Sequence, residues 1–96
     1  MKVKRAIVKA IRLCDEGYTF DQNELLVEIR ERLREEYDAI NKYLSMVPHI
    51  GDQKIVNIIK DIADEEKVHV GELEAILYNL DPNELSKVKE GMEENG

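Results

Sequence analysis

Apolar residues recur every three or four positions through two long stretches of this chain, which the breaker sequence Pro48-His49-Ile50-Gly51 separates. This period is typical of amphipathic α-helices, because a half-buried strand would alternate at every second residue. The first stretch predicts a helix from about Gln22 to Val47, and the second predicts a helix from its N-cap Asp52 to about Asn79. The short connection between them favours an antiparallel helical hairpin.

Two shorter segments flank the predicted hairpin. Residues 3–16 place apolar side chains on one face and end at Gly17, which predicts an N-terminal helix. The sequence Asp81-Pro82-Asn83-Glu84 combines an N-cap acid with a proline at the first helical position, and predicts a last helix over about 82–94. We therefore expect residues 1–96 to form a single all-α domain whose core is the hairpin at about 22–80.

The composition and charge argue against several classes of partner. The net charge of −7 disfavours nucleic acid, and the absence of any run of about 18 apolar residues disfavours a membrane span. Residues 2–12 nevertheless carry five cations and no acid, which is typical of a solvated face or of a surface for an acidic partner. The single cysteine, Cys14, allows no internal disulfide and indicates a reducing, cytoplasmic location.

Three ionisable residues interrupt the apolar stripes of the two long helices. On a helical wheel at 100° per residue, Glu36 lies within the stripe of the first helix. Glu66 and His69 lie within the stripe of the second helix. The stripes comprise Leu25, Ile29, Leu33, Ile40, Tyr43 and Val47 in the first helix, and Ile55, Ile58, Ile59, Ile62, Leu73, Ile76, Leu77 and Leu80 in the second. The sequence thus predicts that two acids and an imidazole face the core.

A cation would explain why these three residues face inward. A carboxylate in a core is strongly destabilising unless it is paired or binds an ion. Carboxylate oxygens and a neutral imidazole are natural metal ligands, and the i, i+3 spacing of Glu66 and His69 lets both reach one centre. The alternative is a buried Glu–His hydrogen-bonded pair that only fixes the packing.

One chain supplies only half of a familiar ligand set. Di-iron carboxylate bundles use a Glu from each of two helices and a Glu-x-x-His from each of two others. This chain has one of each kind, so two copies related by a two-fold axis would supply four Glu and two His. The ligand count therefore predicts a homodimer, in which two hairpins form a four-helix bundle around a di-metal site.

Two motifs carry a resemblance to a known family. The segment Glu36-Tyr37-Asp38-Ala39-Ile40-Asn41-Lys42-Tyr43 resembles the Glu-x-x-Ala-x-x-x-Tyr signature of ferritin-like and rubrerythrin-like helices. The segment Asp64-Glu65-Glu66-Lys67-Val68-His69 resembles the Asp-Glu-Glu-Lys-x-His motif of encapsulated ferritins, the half-length ferritins found as cargo of encapsulin shells. The resemblance covers about residues 22–80 and implies a ferritin-like half-bundle.

The resemblance implies a role for four residues. Glu36, Glu66 and His69 would be iron ligands at a dimer interface, with Glu66 as the bridging carboxylate. Tyr43 would lie beside them as a hydrogen-bond partner or an electron donor in catalysis, and its alternative is a core aromatic.

Three further acids are candidates for a lesser role. Glu35 and Asp38 match outer acids that attract metal towards the site in encapsulated ferritins. Asp38 is shorter than the Glu found there. Glu72 lies one turn after His69 at the edge of the stripe, which makes it a candidate for an extra ligand.

The expected activity is that of a di-iron ferroxidase, which oxidises Fe(II) with dioxygen or peroxide for iron handling and storage. Manganese or zinc are alternatives at the same ligands. A rubrerythrin-like peroxidase would use the same site, although the chain has no Cys-x-x-Cys pair for a rubredoxin-type iron centre. A non-enzymatic helical dimer, acting as an interaction module, is the alternative from a different class.

The expected partners follow from the same resemblance. Iron storage needs a shell, which is either a ring assembly of the chain itself or an encapsulin compartment. Encapsulated ferritins carry a small apolar docking peptide at the C-terminus, whereas the last residues here, KEGMEENG, are acidic and polar. A free-standing half-ferritin and a shell cargo both remain open at this point.

Overall fold

Helices make up almost all of residues 21–95, the part of the chain that the computed structural model describes. Helix α1 spans Gln22–Met46, a 3₁₀ turn spans Val47–His49, helix α2 spans Gln53–Leu80 and helix α3 spans Pro82–Asn95. No strand occurs within this range, so the all-α prediction is confirmed. The predicted helix at residues 3–16 lies outside the described residues.

An aspartate side chain caps the start of each of the three α-helices described within residues 21–95. The Asp21 carboxylate accepts the backbone N–H of Glu24 at 2.8 Å, and the Asp52 carboxylate accepts that of Lys54 at 2.8 Å. Asp81 accepts the backbone N–H of Glu84 at 3.3 Å in the same way. These caps satisfy amide groups that have no partner inside a helix, and they confirm the start signals read from the sequence.

The helix ends differ from the predicted ones by a single residue. Helix α1 stops at Met46 rather than Val47, because the chain tightens into a 3₁₀ turn around Pro48, which has no N–H to continue the helix. Helix α2 runs to Leu80 rather than Asn79. Helix α3 likewise extends one residue beyond the predicted end at 94.

Helices α1 and α2 form an antiparallel hairpin. The Gln22 side-chain amide donates to the Leu80 carbonyl at 2.8 Å, which ties the start of α1 to the end of α2. Leu26, Ile29 and Leu77 form the buried core at this end of the hairpin. The half-buried apolar residues packed against them are Leu25, Leu33, Leu73, Ile76, Tyr78 and Leu80.

The buried seam of the hairpin is narrower than the predicted stripes. On α2 the buried residues are Val56, Ala63, Val70 and Leu77, which follow one another at seven-residue intervals. A heptad seam of this kind is covered by one neighbouring helix. The prediction that Ile55 and Ile58 lie in the core is wrong for the single chain, because they are 47% and 58% exposed. They lie to one side of the seam, where α1 does not reach.

Charged side chains link the start of helix α3 to the hairpin. The Arg30 guanidinium on α1 donates through Nε to Glu84 Oε1 at 2.9 Å, and its Nη2 lies 3.7 Å from Asp81 Oδ2. Among the apolar residues of α3, Met92 remains 67% exposed. None of the helices described here combines the length and the hydrophobicity that crossing a membrane requires.

Candidate metal centre

Glu36, Glu66 and His69 come together halfway along the hairpin, with Glu36 on α1 and the other two on α2. Their ligand atoms all lie within 4.8 Å of one another. The His69 Nδ1 is 3.4 Å from Glu36 Oε2 and 3.4 Å from Glu66 Oε2. Ligand atoms about 2.0–2.2 Å from one metal ion lie roughly 3–4 Å apart, so small side-chain movements would let the three atoms share an ion.

The helix seam explains this arrangement. Glu36 lies seven residues after Ile29, and Glu66 lies three residues after Ala63 and four before Val70, so both glutamates occupy seam positions. His69 lies one turn after Glu66, at the edge of the seam. All three residues are half-buried in the single chain. The side chains of Glu36 and Glu66 are each 22% exposed and that of His69 is 35% exposed.

Proximity to Glu66 alters the ionisation of Glu36. Burial raises the pKa of the Glu36 carboxyl above its ordinary value, and the hydrogen bond and negative charge of Glu66 raise it further. His69 opposes this effect without cancelling it. When two carboxyl groups lie close together without a cation, the repulsion between their charges favours the state in which one of them is protonated. A bound metal ion would displace that proton.

The outer acids predicted from the resemblance lie on the exposed face of α1. Glu35 pairs with Arg32 at 3.3 Å and Asp38 pairs with Lys42 at 2.9 Å. His49 is exposed in the turn after α1. Tyr43 is half-buried two turns beyond Glu36, and within residues 21–95 it makes no hydrogen bond to the three clustered residues. Its catalytic role stays a prediction.

Glu72 has an unusual environment next to this cluster. It is half-buried, and its Oε1 is buried without a hydrogen-bond partner among the residues that the structure describes. It does not belong to the group whose ligand atoms lie within 4.8 Å of one another. An acceptor withdrawn from water is destabilising unless a donor or a cation meets it. The cluster and this oxygen together fit a centre that takes a cation.

Comparison with known proteins gives two curated relatives, whereas no family model matches the chain. A ferritin-like-encapsulin shell fusion protein of Pyrococcus furiosus is 42% identical over 80 residues, which cover 83% of this chain and 23% of the relative. The encapsulin nanocompartment cargo protein EncC of Myxococcus xanthus is 30% identical over 70 residues, which cover 73% of this chain and 54% of the relative. The chain thus spans about a quarter and about half of the length of these proteins.

A solved structure matches both the sequence and the fold. The crystal structure of the encapsulated ferritin domain from Pyrococcus furiosus superposes with a TM-score of 0.77 and is 40% identical in sequence. The match covers 80% of this chain and 79% of that domain, so the likeness extends well beyond the two motifs. With these identities and this coverage, the chain belongs to the encapsulated ferritin-like family of half-length ferritins.

Proposed function

We propose that the protein is a ferroxidase, which binds Fe(II) at a site formed between two copies of the chain and oxidises it to Fe(III). Membership of the ferritin-like family gives an iron-related function in general terms. The observation that carries the finer proposal is the cluster of Glu36, Glu66 and His69, whose ligand atoms lie within 4.8 Å of one another. Two carboxylates and an imidazole are a donor set that suits iron.

The exposure of the cluster supports a site shared by two chains. One hairpin offers three ligands and leaves His69 35% exposed, so the cluster is open on one side. Ile58 lies eleven residues before His69, about three helical turns, on nearly the same side of α2, and it is 58% exposed. A second hairpin on this side would cover the apolar surface and bring the ligands to four Glu and two His.

The residues have distinct parts in this proposal. Bound iron supplies the redox change, in which each Fe(II) gives one electron to dioxygen or peroxide. The carboxylates of Glu36 and Glu66 would neutralise the positive charge that increases on oxidation, and the raised pKa of Glu36 means that the cation would compete with a proton for this carboxyl. His69 offers a neutral nitrogen, which keeps the net charge of the site from becoming too negative.

The names of the relatives support an encapsulin shell as the partner. One relative is a ferritin-like domain fused to an encapsulin shell protein, and the other is an encapsulin cargo protein. We propose that this chain likewise works inside such a nanocompartment in the cytoplasm, where Fe(III) leaving the site could accumulate. The exposed acids Glu35 and Asp38 would raise the local concentration of Fe(II) near the site.

The test is an anaerobic Fe(II) titration of the full chain, followed by exposure to air while the near-ultraviolet absorbance is recorded. We expect saturation near one iron per chain, and oxidation that Glu36→Ala and His69→Ala abolish. Glu31→Ala is the matched control, because Glu31 pairs with Arg34 on the exposed face of α1. If the Glu36 and His69 variants oxidise Fe(II) as fast as the wild type, the site assignment is wrong.

One observation favours a second candidate. The 3.4 Å contacts from His69 Nδ1 to both glutamates are also what a polar packing pair would show, in a helical dimer without metal chemistry. Such an interaction module would have the same melting temperature and the same mass in solution with iron as with a chelator. A ferroxidase would instead gain stability from the metal, because the ion binds the folded state alone.

A further inference from the structure

Glu72 is a half-buried acid that has no role in the proposed oxidation of iron. It lies three residues after His69 on α2, and its Oε1 is buried without a hydrogen-bond partner in the described part of the chain. Withdrawing a carboxylate oxygen from water without giving it a donor is unfavourable, so native proteins rarely leave one in this state. The unpaired oxygen points to a donor that the metal-free single chain does not present.

The imidazole of His69 can supply this donor. Its Nδ1 faces Glu36 Oε2 and Glu66 Oε2 at 3.4 Å each, so Nδ1 is the ring nitrogen placed to bind a metal ion. A neutral imidazole that gives Nδ1 to a metal carries its proton on Nε2. Metal-binding histidines commonly donate this second N–H to a carboxylate, a backbone carbonyl or a water.

Glu72 is the candidate acceptor for that proton, and in the metal-free chain its oxygens lie more than 4.0 Å from the ring nitrogens of His69, so a side-chain rotation or a water must close the gap. Side chains three or four residues apart on a helix are neighbours, with about 5–6 Å between their Cβ atoms. Three of the four positions at this spacing from His69 carry an acceptor, namely Glu65, Glu66 and Glu72. Glu66 already faces Nδ1 and Glu65 has an interaction of its own, whereas Glu72 has the unpaired oxygen. The Glu72 carboxylate is not among the ligand atoms that lie within 4.8 Å of one another. This favours a role through His69 rather than as a ligand of the metal.

We propose that Glu72 is a positioning residue of the metal centre, whose carboxylate accepts the Nε2–H of His69, directly or through one water, when Nδ1 binds the ion. This inference rests on the proposed metal site. The hydrogen bond holds the imidazole in one tautomer and one orientation, and it makes Nδ1 a stronger ligand. It also satisfies the oxygen that is unpaired in the metal-free chain.

The test uses Zn²⁺ as a diamagnetic probe, with the untagged full chain labelled with ¹⁵N. The chain has two histidines, so a His49→Gln background leaves His69 as the single imidazole signal. We expect the Nε2–H of zinc-loaded protein to be protected from exchange with solvent, and Glu72→Ala to remove this protection. The same variant should bind zinc about 10–100-fold more weakly. Glu72→Gln should restore part of both, because its amide oxygen still accepts.

Glu74→Ala is the matched control, since Glu74 is a half-buried acid on the same helix but lies towards Tyr78. It should change neither the zinc affinity nor the Nε2–H signal. The inference is overturned if Glu72→Ala and Glu72→Gln, both folded by circular dichroism, match the wild type in both measurements. A zinc-bound structure with a Glu72 oxygen on the metal also overturns it. If the wild type binds no zinc and no iron, the proposed metal site itself fails.

Discussion

At the scale of the single residue, packing changes the ionisation of Glu36. Its pKa is raised by burial and by Glu66, so between the ordinary and the raised pKa the folded metal-free chain binds a proton that the unfolded chain releases. Stability falls with rising pH wherever the native state binds more protons than the unfolded state. The metal-free protein should therefore lose stability as pH rises from 4.5, the ordinary value for this carboxyl, through the raised pKa of Glu36.

Glu36→Gln tests this linkage. In the presence of a chelator we expect the melting temperature of the wild type to fall more steeply with rising pH than that of Glu36→Gln, because the amide cannot ionise. Circular dichroism melts at pH values from 4.5 upward would measure the difference between the two slopes. Glu31→Gln, which alters an exposed acid paired with Arg34, should keep the wild-type slope. Equal slopes for all three proteins would show that Glu36 is not held protonated.

At the scale of the element, Arg30 links α3 to α1. Arg30 reaches from α1 to Glu84, in the first turn of α3, and to Asp81, which caps that helix. The Arg30 side chain is 45% exposed, so solvent screens the pair and limits its strength. The predicted start of α3 rests on local signals, whereas the Arg30–Glu84 contact joins residues 54 positions apart.

Arg30→Ala should loosen α3 while leaving the hairpin folded. We expect a loss of about 0.5–1 kcal/mol in the free energy of unfolding, together with faster hydrogen exchange of the α3 amides. Arg32→Ala is the matched control, because Arg32 is 47% exposed but pairs with Glu28 and Glu35 within its own helix. If the two variants give the same exchange rates across α3, Arg30 does not hold this helix in place.

At the scale of the whole molecule, the hairpin leaves apolar surface uncovered beside the cluster. Ile55 and Ile58 are 47% and 58% exposed on the side of α2 next to the heptad seam. Exposed apolar surface next to an incomplete ligand set is typical of a surface that a second copy covers. The proposed homodimer thus accounts both for the exposed isoleucines and for the missing ligands.

Ile58→Asp should therefore prevent association of the hairpins. We expect sedimentation velocity to show a shift towards the mass of one chain, and iron binding to weaken in parallel, because a buried unpaired charge opposes the interface. Val27→Asp provides a control, since Val27 is 54% exposed and lies on the opposite face of α1 from Glu36. If the dimer persists in Ile58→Asp but is lost in Val27→Asp, the interface lies on the face of the hairpin that carries Val27.

Much of this molecule could be predicted from short-range signals in the sequence. The aspartate caps, Pro48 and the apolar period placed the helix ends within one residue, because capping and backbone hydrogen bonds act within a few positions. The same period singled out Glu36, Glu66 and His69 as a set. It did not separate the seam residues Ala63 and Val70 from the more exposed Ile55 and Ile58, since all are apolar at helical spacing.

By itself, then, the sequence determined the helices, the family and the identity of the clustered residues. Only the tertiary structure decided how deeply each side chain is buried, that the pKa of Glu36 is raised, and which oxygen of Glu72 lacks a partner. These properties depend on contacts between residues far apart in the chain, such as the 33 positions between Glu36 and His69. Desolvation and charge proximity arise when two helices pack, so the residue pattern along one helix cannot predict them.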